Sequence, residues 1–366
     1  MFAERTDRVR ARMQELGVDA LLLSVGPDLP YLTGYQAMPL ERLTMLVLPA
    51  EGDATLVVPR LEAPRVVERP DVFAVRSWDE TDDPIAIVAG LVGSAGTLAI
   101  GDRTWARFLV DLQRALPSAH FTKGSEVVGP LRARKDPAEV EALRKAGAAA
   151  DCVAAELQHG AIELVGRTEA DVSAELSRRL LAEGHHRVNF AIVAAGANAA
   201  SPHHEPAGRI IREGEAVLCD FGGTMFDGEG VGYCSDITRC VHVGEPSEEM
   251  AEAYAVLLDA QRAAVAAAVV GTTCEEVDAT ARRIIAGAGW GEQFIHRTGH
   301  GIGIEEHEDP YIVSGNSTPL EPGHAFSIEP GIYVPGRFGF RLEDIVVASA
   351  TGPEPMNNAD HDLALL

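Results

Sequence analysis

Four carboxylates of this chain occupy matching places in two similar segments. Glu213-Gly-Glu-Ala-Val-Leu-Cys-Asp220-Phe-Gly aligns with Pro322-Gly-His-Ala-Phe-Ser-Ile-Glu329-Pro-Gly. Both are strand-like runs in which a glycine leads in and a carboxylate follows six residues later. A second strand-like run then carries another acid, Asp236 in Ser-Asp-Ile-Thr-Arg and Glu343 in Arg-Leu-Glu-Asp-Ile. Two such halves facing each other about a pseudo-two-fold axis would gather four carboxylates into one cleft. Unpaired, most of them would be forced to protonate there by repulsion and desolvation. Divalent cations resolve that conflict. Carboxylates with one imidazole suit Mn²⁺ or a similar ion better than a structural zinc, which favours thiolate and imidazole. Two ions about 3.5–4 Å apart, sharing bridging carboxylates, form the usual hydrolytic arrangement. The imidazole is offered by His296-Arg-Thr-Gly-His300-Gly-Ile-Gly, where the glycines let the backbone approach closely.

The elements that must position these groups repeat as well. Gly166-Arg-Thr-Glu-Ala-Asp-Val matches Gly271-Thr-Thr-Cys-Glu-Glu-Val. In each, a threonine (Thr168, Thr273) precedes an acid by three places (Asp171, Glu276), a helix start of the capping-box kind. Each helix then runs toward a glycine, Gly184 or Gly289. The first third of the chain alternates helix and strand patterns. Arg5 to Gly17 is amphipathic and Val18 to Val25 is a short apolar run; Leu43 to Leu48, Thr55 to Pro59 and Thr97 to Ile100 read as strands. Asp83 to Gly93 and Arg103 to Leu116 read as helices. These patterns predict an α/β domain over residues 1–128, a boundary near Gly129-Pro130, and an α+β domain over residues 129–366. Asp136-Pro137 opens a long helix in the second, with Asp136 as its cap.

Composition narrows the function classes. The chain of 366 residues carries a formal charge of −24, which repels phosphate backbones and anionic lipid heads and argues against nucleic-acid and membrane partners. Solubility alone is a simpler reason for that charge. No stretch approaches the ~18 consecutive apolar residues of a membrane helix, and no signal-peptide pattern opens the chain. The five cysteines (Cys152, Cys219, Cys234, Cys240, Cys274) are odd in number and lack a Cys-x-x-Cys spacing. Free, mostly buried thiols in a reducing, cytoplasmic compartment are the expectation. By strand alternation Cys219 faces away from Asp220 and packs.

Pro202-His203-His204, Asp220-Phe-Gly-Gly, Gly232-Tyr-Cys-Ser-Asp236-Ile-Thr-Arg, His296-Arg-Thr-Gly-His300-Gly-Ile-Gly, Ser327-Ile-Glu329-Pro-Gly and Arg341-Leu-Glu343-Asp occur in this order. Together they make the chain resemble the Xaa-Pro peptidases of the pita-bread metallopeptidase fold, the group of prolidase and aminopeptidase P. The resemblance spans nearly the whole chain and implies an N-terminal creatinase/prolidase-type domain ahead of the catalytic one. It implies hydrolysis of Xaa-Pro bonds in short proline-containing peptides by a hydroxide held between two ions, with Mn²⁺ first and Co²⁺ or Zn²⁺ as alternatives. Asp220 would chelate one ion, His300 and Glu329 the other, and Asp236 and Glu343 would bridge them. Glu329 would handle the proton, while His203, His296 and His307 would position substrate and stabilise the tetrahedral species. A homodimer is also implied. Arg341 could touch substrate or pair with a carboxylate of its own hairpin.

Two departures from the family pattern stand out. The interval between Asp220 and Asp236 is longer than usual, which predicts a longer hairpin tip. Prolidases also hold the dipeptide carboxylate with an arginine between the equivalents of His307 and Glu329, yet no Arg or Lys occurs from Glu308 to Ile328. Arg42, in Met38-Pro-Leu-Glu-Arg-Leu, is the candidate replacement; a plain surface arginine is the alternative. Dipeptidase and aminopeptidase P are therefore rival expectations. Methionine aminopeptidase usually lacks the N-terminal domain, creatinase lacks the metal ligands, and an inactive peptide-binding scaffold would have lost ligands that are all present here.

Overall fold

The computed structural model describes residues 1–366 and divides into two compact units. Met1–Arg132 with Asp227–Val231 forms one; Ala133–Phe226 with Gly232–Leu366 forms the other. The expected boundary at Gly129-Pro130 falls inside a helix, Ser125–Ala133. Val127 and Val128 of that helix are fully buried, so packing overrides the local Gly-Pro punctuation.

The first unit is an α/β layer structure. Its six-stranded sheet runs, in spatial order, Ala74–Trp78, Thr55–Pro59, Met45–Pro49, Ala20–Leu23, Thr97–Ile100 and His120–Lys123. Leu22, Val47, Val57 and Leu98 of the inner strands pack with Val88, Phe108 and Leu112 of the helices Pro84–Val92 and Ala106–Ala115. The helix Pro84–Val92 begins at Asp83, whose carboxylate accepts from the amides of Ile85 and Ala86, and ends at Gly93. In the hairpin tip Asp227–Val231, Glu229 takes the guanidinium of Arg69 at 3.1 Å.

The second unit shows the duplication in three dimensions. The helices Pro137–Gln158 and Glu169–Ala182 cover a sheet containing Arg187–Ala195, Ala216–Phe226 and Ile237–His242. The helices Glu248–Ala267 and Cys274–Gly287 pair with one another and cover a second sheet built on Gly299–Gly301, Glu308–Ile312, Ala325–Ile328 and Asp344–Ser349. Thr168 and Thr273 both close capping boxes, with Asp171 and Glu276 respectively, and both bridge to a later segment, Ile210 and Pro319. Asp136 caps its helix in the same reciprocal way with Glu139, an arrangement worth about 1 kcal/mol.

Strand alternation decides where the carboxylates point. Along Ala216–Phe226, Val217, Cys219 and Phe221 pack beneath the first helix pair, whereas Ala216 and Leu218 join the core of the other half. Asp220 shares the face of Leu218, so it is delivered between the halves, with Cys219 packed on the opposite side.

Candidate metal centre and active site

Asp220 lies on the strand Ala216–Phe226, opposite Thr238. Asp236 immediately precedes the antiparallel partner strand Ile237–His242. In the other half, Ile328 pairs with Asp344, which leaves Glu329 and Glu343 just beyond the ends of their paired strands. A bridge between Thr238 and Glu343 joins the two halves at this point. His300 enters from the middle of Gly299–Gly301, where an added Cβ at Gly299 would lie 1.8 Å from the Ser327 carbonyl oxygen. Only glycine fits beside that strand.

Asp220, Asp236, His300 and Glu343 are all buried. In Asp220 and Glu343 one carboxylate oxygen is held by the protein while the other has no partner, and Asp236 also has one oxygen without a partner. Asp220 Oδ2 accepts from Arg341 Nη2 at 2.5 Å, and Oδ1 is bare. Glu343 Oε2 accepts from Thr238 Oγ1 at 2.7 Å, and Oε1 is bare. Asp236 Oδ2 stands 3.7 Å from His300 Nε2, and Oδ1 is bare. Ligand atoms of Asp236, His300 and Glu343 lie within 4.8 Å of one another. Glu329 Oε1 is 3.4 Å from His300 Nε2 and accepts from Ser327 Oγ.

Leaving a buried carboxylate oxygen unsatisfied is costly, and three acids with such oxygens around one cavity call for positive partners. The electrostatics carry the same message. Burial pushes Asp236 and Glu343 well above the usual carboxylate range, and neighbouring acids push them further: Glu343 and Asp220 act on Asp236, Glu329 and Asp220 on Glu343. Glu329 rises to about 7, chiefly by burial. Burial and the nearby His307 lower His300 to about 3, so its imidazole is neutral at physiological pH. Its Nδ1 faces the Gly301 carbonyl at 3.1 Å; that carbonyl can only accept, so Nδ1 carries the proton and Nε2 presents a lone pair to the carboxylates. This donor set fits divalent ions.

A cavity of about 770 Å³ opens on the cluster. It is lined by Asp220, Asp236, His300, Glu329 and Glu343, by His203, His296, His307 and Arg341, and by the apolar Phe190, Ile192 and Ile295. Its size is that of a small-ligand site. His203 lines it, whereas His204 turns to the fully buried Glu169 at 2.8 Å. The His307 ring lies 4.0 Å, centre to centre, from that of His300. His296 is engaged on both sides: Nδ1 with the Arg297 carbonyl at 2.7 Å, and Nε2 with the Tyr333 hydroxyl at 2.9 Å. That hydroxyl also accepts from Arg341 Nη1. Arg341 further donates to Thr238 and to the Pro202 carbonyl, and its carboxylate partner is not in its own hairpin but is Asp220, on the strand Ala216–Phe226 of the other half. Arg42 belongs to the first unit, where Glu41 and Glu80 hold its guanidinium at 2.6 and 2.7 Å.

Residues 141–350 match the model of metallopeptidase family M24, and residues 5–134 match the creatinase/prolidase N-terminal domain. The chain belongs to metallopeptidase family M24. Among its relatives, the probable dipeptidase PepE of Mycobacterium tuberculosis is 44% identical over 100% of this chain and 97% of its own length. An Xaa-Pro dipeptidase of Lactobacillus helveticus is 38% identical over 98% of each. The crystal structure of a prolidase from Thermococcus sibiricus superposes with a TM-score of 0.93 at 37% identity, covering 100% of this chain and 99% of that one. As an M24 member, the protein is a metallopeptidase, built from the creatinase-type N-terminal domain and the pita-bread catalytic domain.

Four further residues at this site had not been given a role from sequence. Thr238 carried a usable signal, since it follows Asp236 by two places where the chain enters the strand Ile237–His242. Tyr333 carried none: it reaches His296 only because Gly331–Val334 folds against Phe338–Arg341. Arg297 and Glu306 also line the cavity.

Proposed function

We propose that this protein is an Xaa-Pro dipeptidase whose hydrolytic site holds two divalent ions. The observation that carries the reading is that Asp220, Asp236 and Glu343, each with a bare buried oxygen, line one cavity with the neutral His300, ligand atoms of Asp236, His300 and Glu343 lying within 4.8 Å of one another. Asp220, His300 and Glu329 would hold the ions from either side, with Asp236 and Glu343 between them. When bound, the ions supply Lewis acidity and lower the pKa of an attacking water.

The residues of the chain do the rest. Glu329, raised toward neutrality by burial, can hold and hand on a proton at Oε1 or Oε2. His307, held below the usual histidine value by burial and then by Arg297 and His203, is neutral at pH 7 and can donate one N–H to a developing oxyanion. Burial and then Arg341 lower His296 to about 4, and the Arg341–Tyr333–His296 chain fixes the ring. Phe190, Ile192 and Ile295 offer apolar surface to a proline ring. An Xaa-Pro bond is a tertiary amide with no N–H, so a wall without an acceptor leaves nothing unpaired. The reading includes Mn²⁺ as the first ion to test, a homodimer, and a cytoplasmic location. No helix of the chain is long and apolar enough to cross a membrane.

The absence of Arg and Lys between Glu308 and Ile328 favours a second reading, an aminopeptidase P that removes the residue before proline from longer peptides. A panel of Xaa-Pro, Xaa-Ala and Xaa-Pro-Yaa substrates on metal-reconstituted enzyme separates these. Xaa-Pro is expected to exceed Xaa-Ala in kcat/KM by at least roughly tenfold. Equal rates on the two would remove proline specificity, and turnover of Xaa-Pro-Yaa alone would leave the second reading.

A further inference from the structure

We infer that Asp278 and Arg282, on the helix Cys274–Gly287, are positioning residues that hold His296 against the catalytic cavity. This deepens the dipeptidase reading and rests on it for what His296 does. Neither residue lines that cavity; both border a separate, smaller one of about 400 Å³. The duplication shows what is particular about their helix. Counted from the capping threonines Thr168 and Thr273, Ser173 and Asp278 hold the same place, as do Ser177 and Arg282. Counted from Gly184 and Gly289, so do Ala191 and His296. In the first half Ser173 Oγ donates to the Ala191 carbonyl at 2.6 Å, and Ser177 turns back to its own helix. Ala191 needs no more, since it sits within the strand Arg187–Ala195, paired with Ala216–Phe226. In the second half the regular strand is only Gly299–Gly301, and His296 precedes it. Side chains of the helix take over there.

Asp278 and Thr298 are both buried. Asp278 Oδ1 accepts from the amide and hydroxyl of Thr298 at 3.0 and 2.7 Å. Asp278 Oδ2 accepts from Arg282 Nε at 2.7 Å, which aims the guanidinium along the segment before the strand. Arg282 Nη1 donates to the Phe294 carbonyl at 3.3 Å, and Nη2 donates to the His296 carbonyl. The fork also stacks over the Phe294 ring, 4.3 Å from its centre. That ring in turn meets the His296 imidazole at 88°, with ring centres 5.3 Å apart. A planar group with several donors, oriented by a buried carboxylate, thus fixes two carbonyls and a ring around His296. The imidazole's own bonds, with the Arg297 carbonyl and the Tyr333 hydroxyl, place it only if the backbone beneath is held.

The test assays Xaa-Pro hydrolysis by metal-loaded wild type, Arg282→Met, Arg282→Lys, Asp278→Asn and Arg283→Met, and repeats Arg282→Met in a His296→Ala background. NMR of the metal-free proteins follows the histidine ring signals, with His296 assigned through His296→Ala. Arg282→Met is expected to lower kcat/KM about ten- to a hundredfold, the cost of misplacing a group at the site, and to move the His296 signal. Asp278→Asn, which turns an acceptor into a donor facing the guanidinium, should do the same. In the His296→Ala background the further loss should stay below about threefold, because one residue acts through the other. Arg282→Lys, which keeps the charge without the fork, should fall between. Arg283→Met, whose guanidinium bonds Thr280 of its own helix, should match wild type. An undisturbed His296 signal in Arg282→Met, or an equal loss with and without His296, would overturn the positioning and leave the dipeptidase reading intact. Wild-type values in Arg282→Lys would do the same, and they decide alone should Arg282→Met fold poorly. Absence of Xaa-Pro turnover by the wild type would overturn both.

Discussion

Asp236→Asn is expected to lower kcat/KM by at least about a hundredfold and, in the same protein, to leave the metal-free fold as stable as wild type or more so. The first effect follows from position. Loss of a group that merely orients a ligand costs 10–100-fold in affinity or activity, and in the proposed two-ion site Asp236 would serve both ions. The second follows from burial. Asp236 is 4% exposed, its Oδ1 has no partner, and desolvation and then Glu343 and Asp220 drive its pKa well above the carboxylate range. An isosteric neutral amide removes that burden when no cation is present to relieve it. Thermal unfolding of chelator-treated proteins, beside metal content and activity of the reconstituted ones, reads both effects. An Asn variant that lost stability and activity together would make Asp236 a structural residue.

Arg341→Met should destabilise the metal-free protein by about 3–5 kcal/mol, because it strands Asp220 as a buried charge without its counter-ion. Arg341 is 3% exposed and Asp220 7%. The same substitution also withdraws donors from Tyr333 and Thr238, which hold His296 and Glu343. Adding Asp220→Asn should recover a good part of the loss, as expected of groups in one buried network. Cations beside Asp220 supply alternative neutralisation, so the penalty shrinks when the ions are bound. Urea unfolding of the single and double variants, with and without Mn²⁺, measures this. A loss below about 1 kcal/mol, or no recovery in the double variant, would mean that the pair is not the support described here.

Much of this architecture was legible from local rules. The strands Thr55–Pro59 and Thr97–Ile100 and the caps at Asp83, Asp136, Thr168 and Thr273 lie where apolar runs and capping residues place them. The duplicated segments exposed the carboxylate set, because a repeat in sequence folds to a repeat in space. The strands Ala74–Trp78 and His120–Lys123 escaped notice for a physical reason. They are the edges of their sheet, largely exposed, and a hydrogen-bonded ladder holds them without an apolar pattern. The helix Ser125–Ala133 was hidden by Gly129-Pro130. At the site, sequence pointed to the acids and histidines but not to what holds them. The chain from Arg341 through Tyr333 to His296 depends on a hairpin closing, and no spacing rule announces it.

The central claim is that the four carboxylates and His300 hold two ions that the reaction requires. Metal-stripped protein titrated with Mn²⁺, followed by elemental analysis and by Xaa-Pro hydrolysis at each step, tests it most directly. Activity that is absent without metal and reaches its plateau at two ions per chain is the expected result. Full activity with one ion per chain, or undiminished activity after complete chelation, would contradict it.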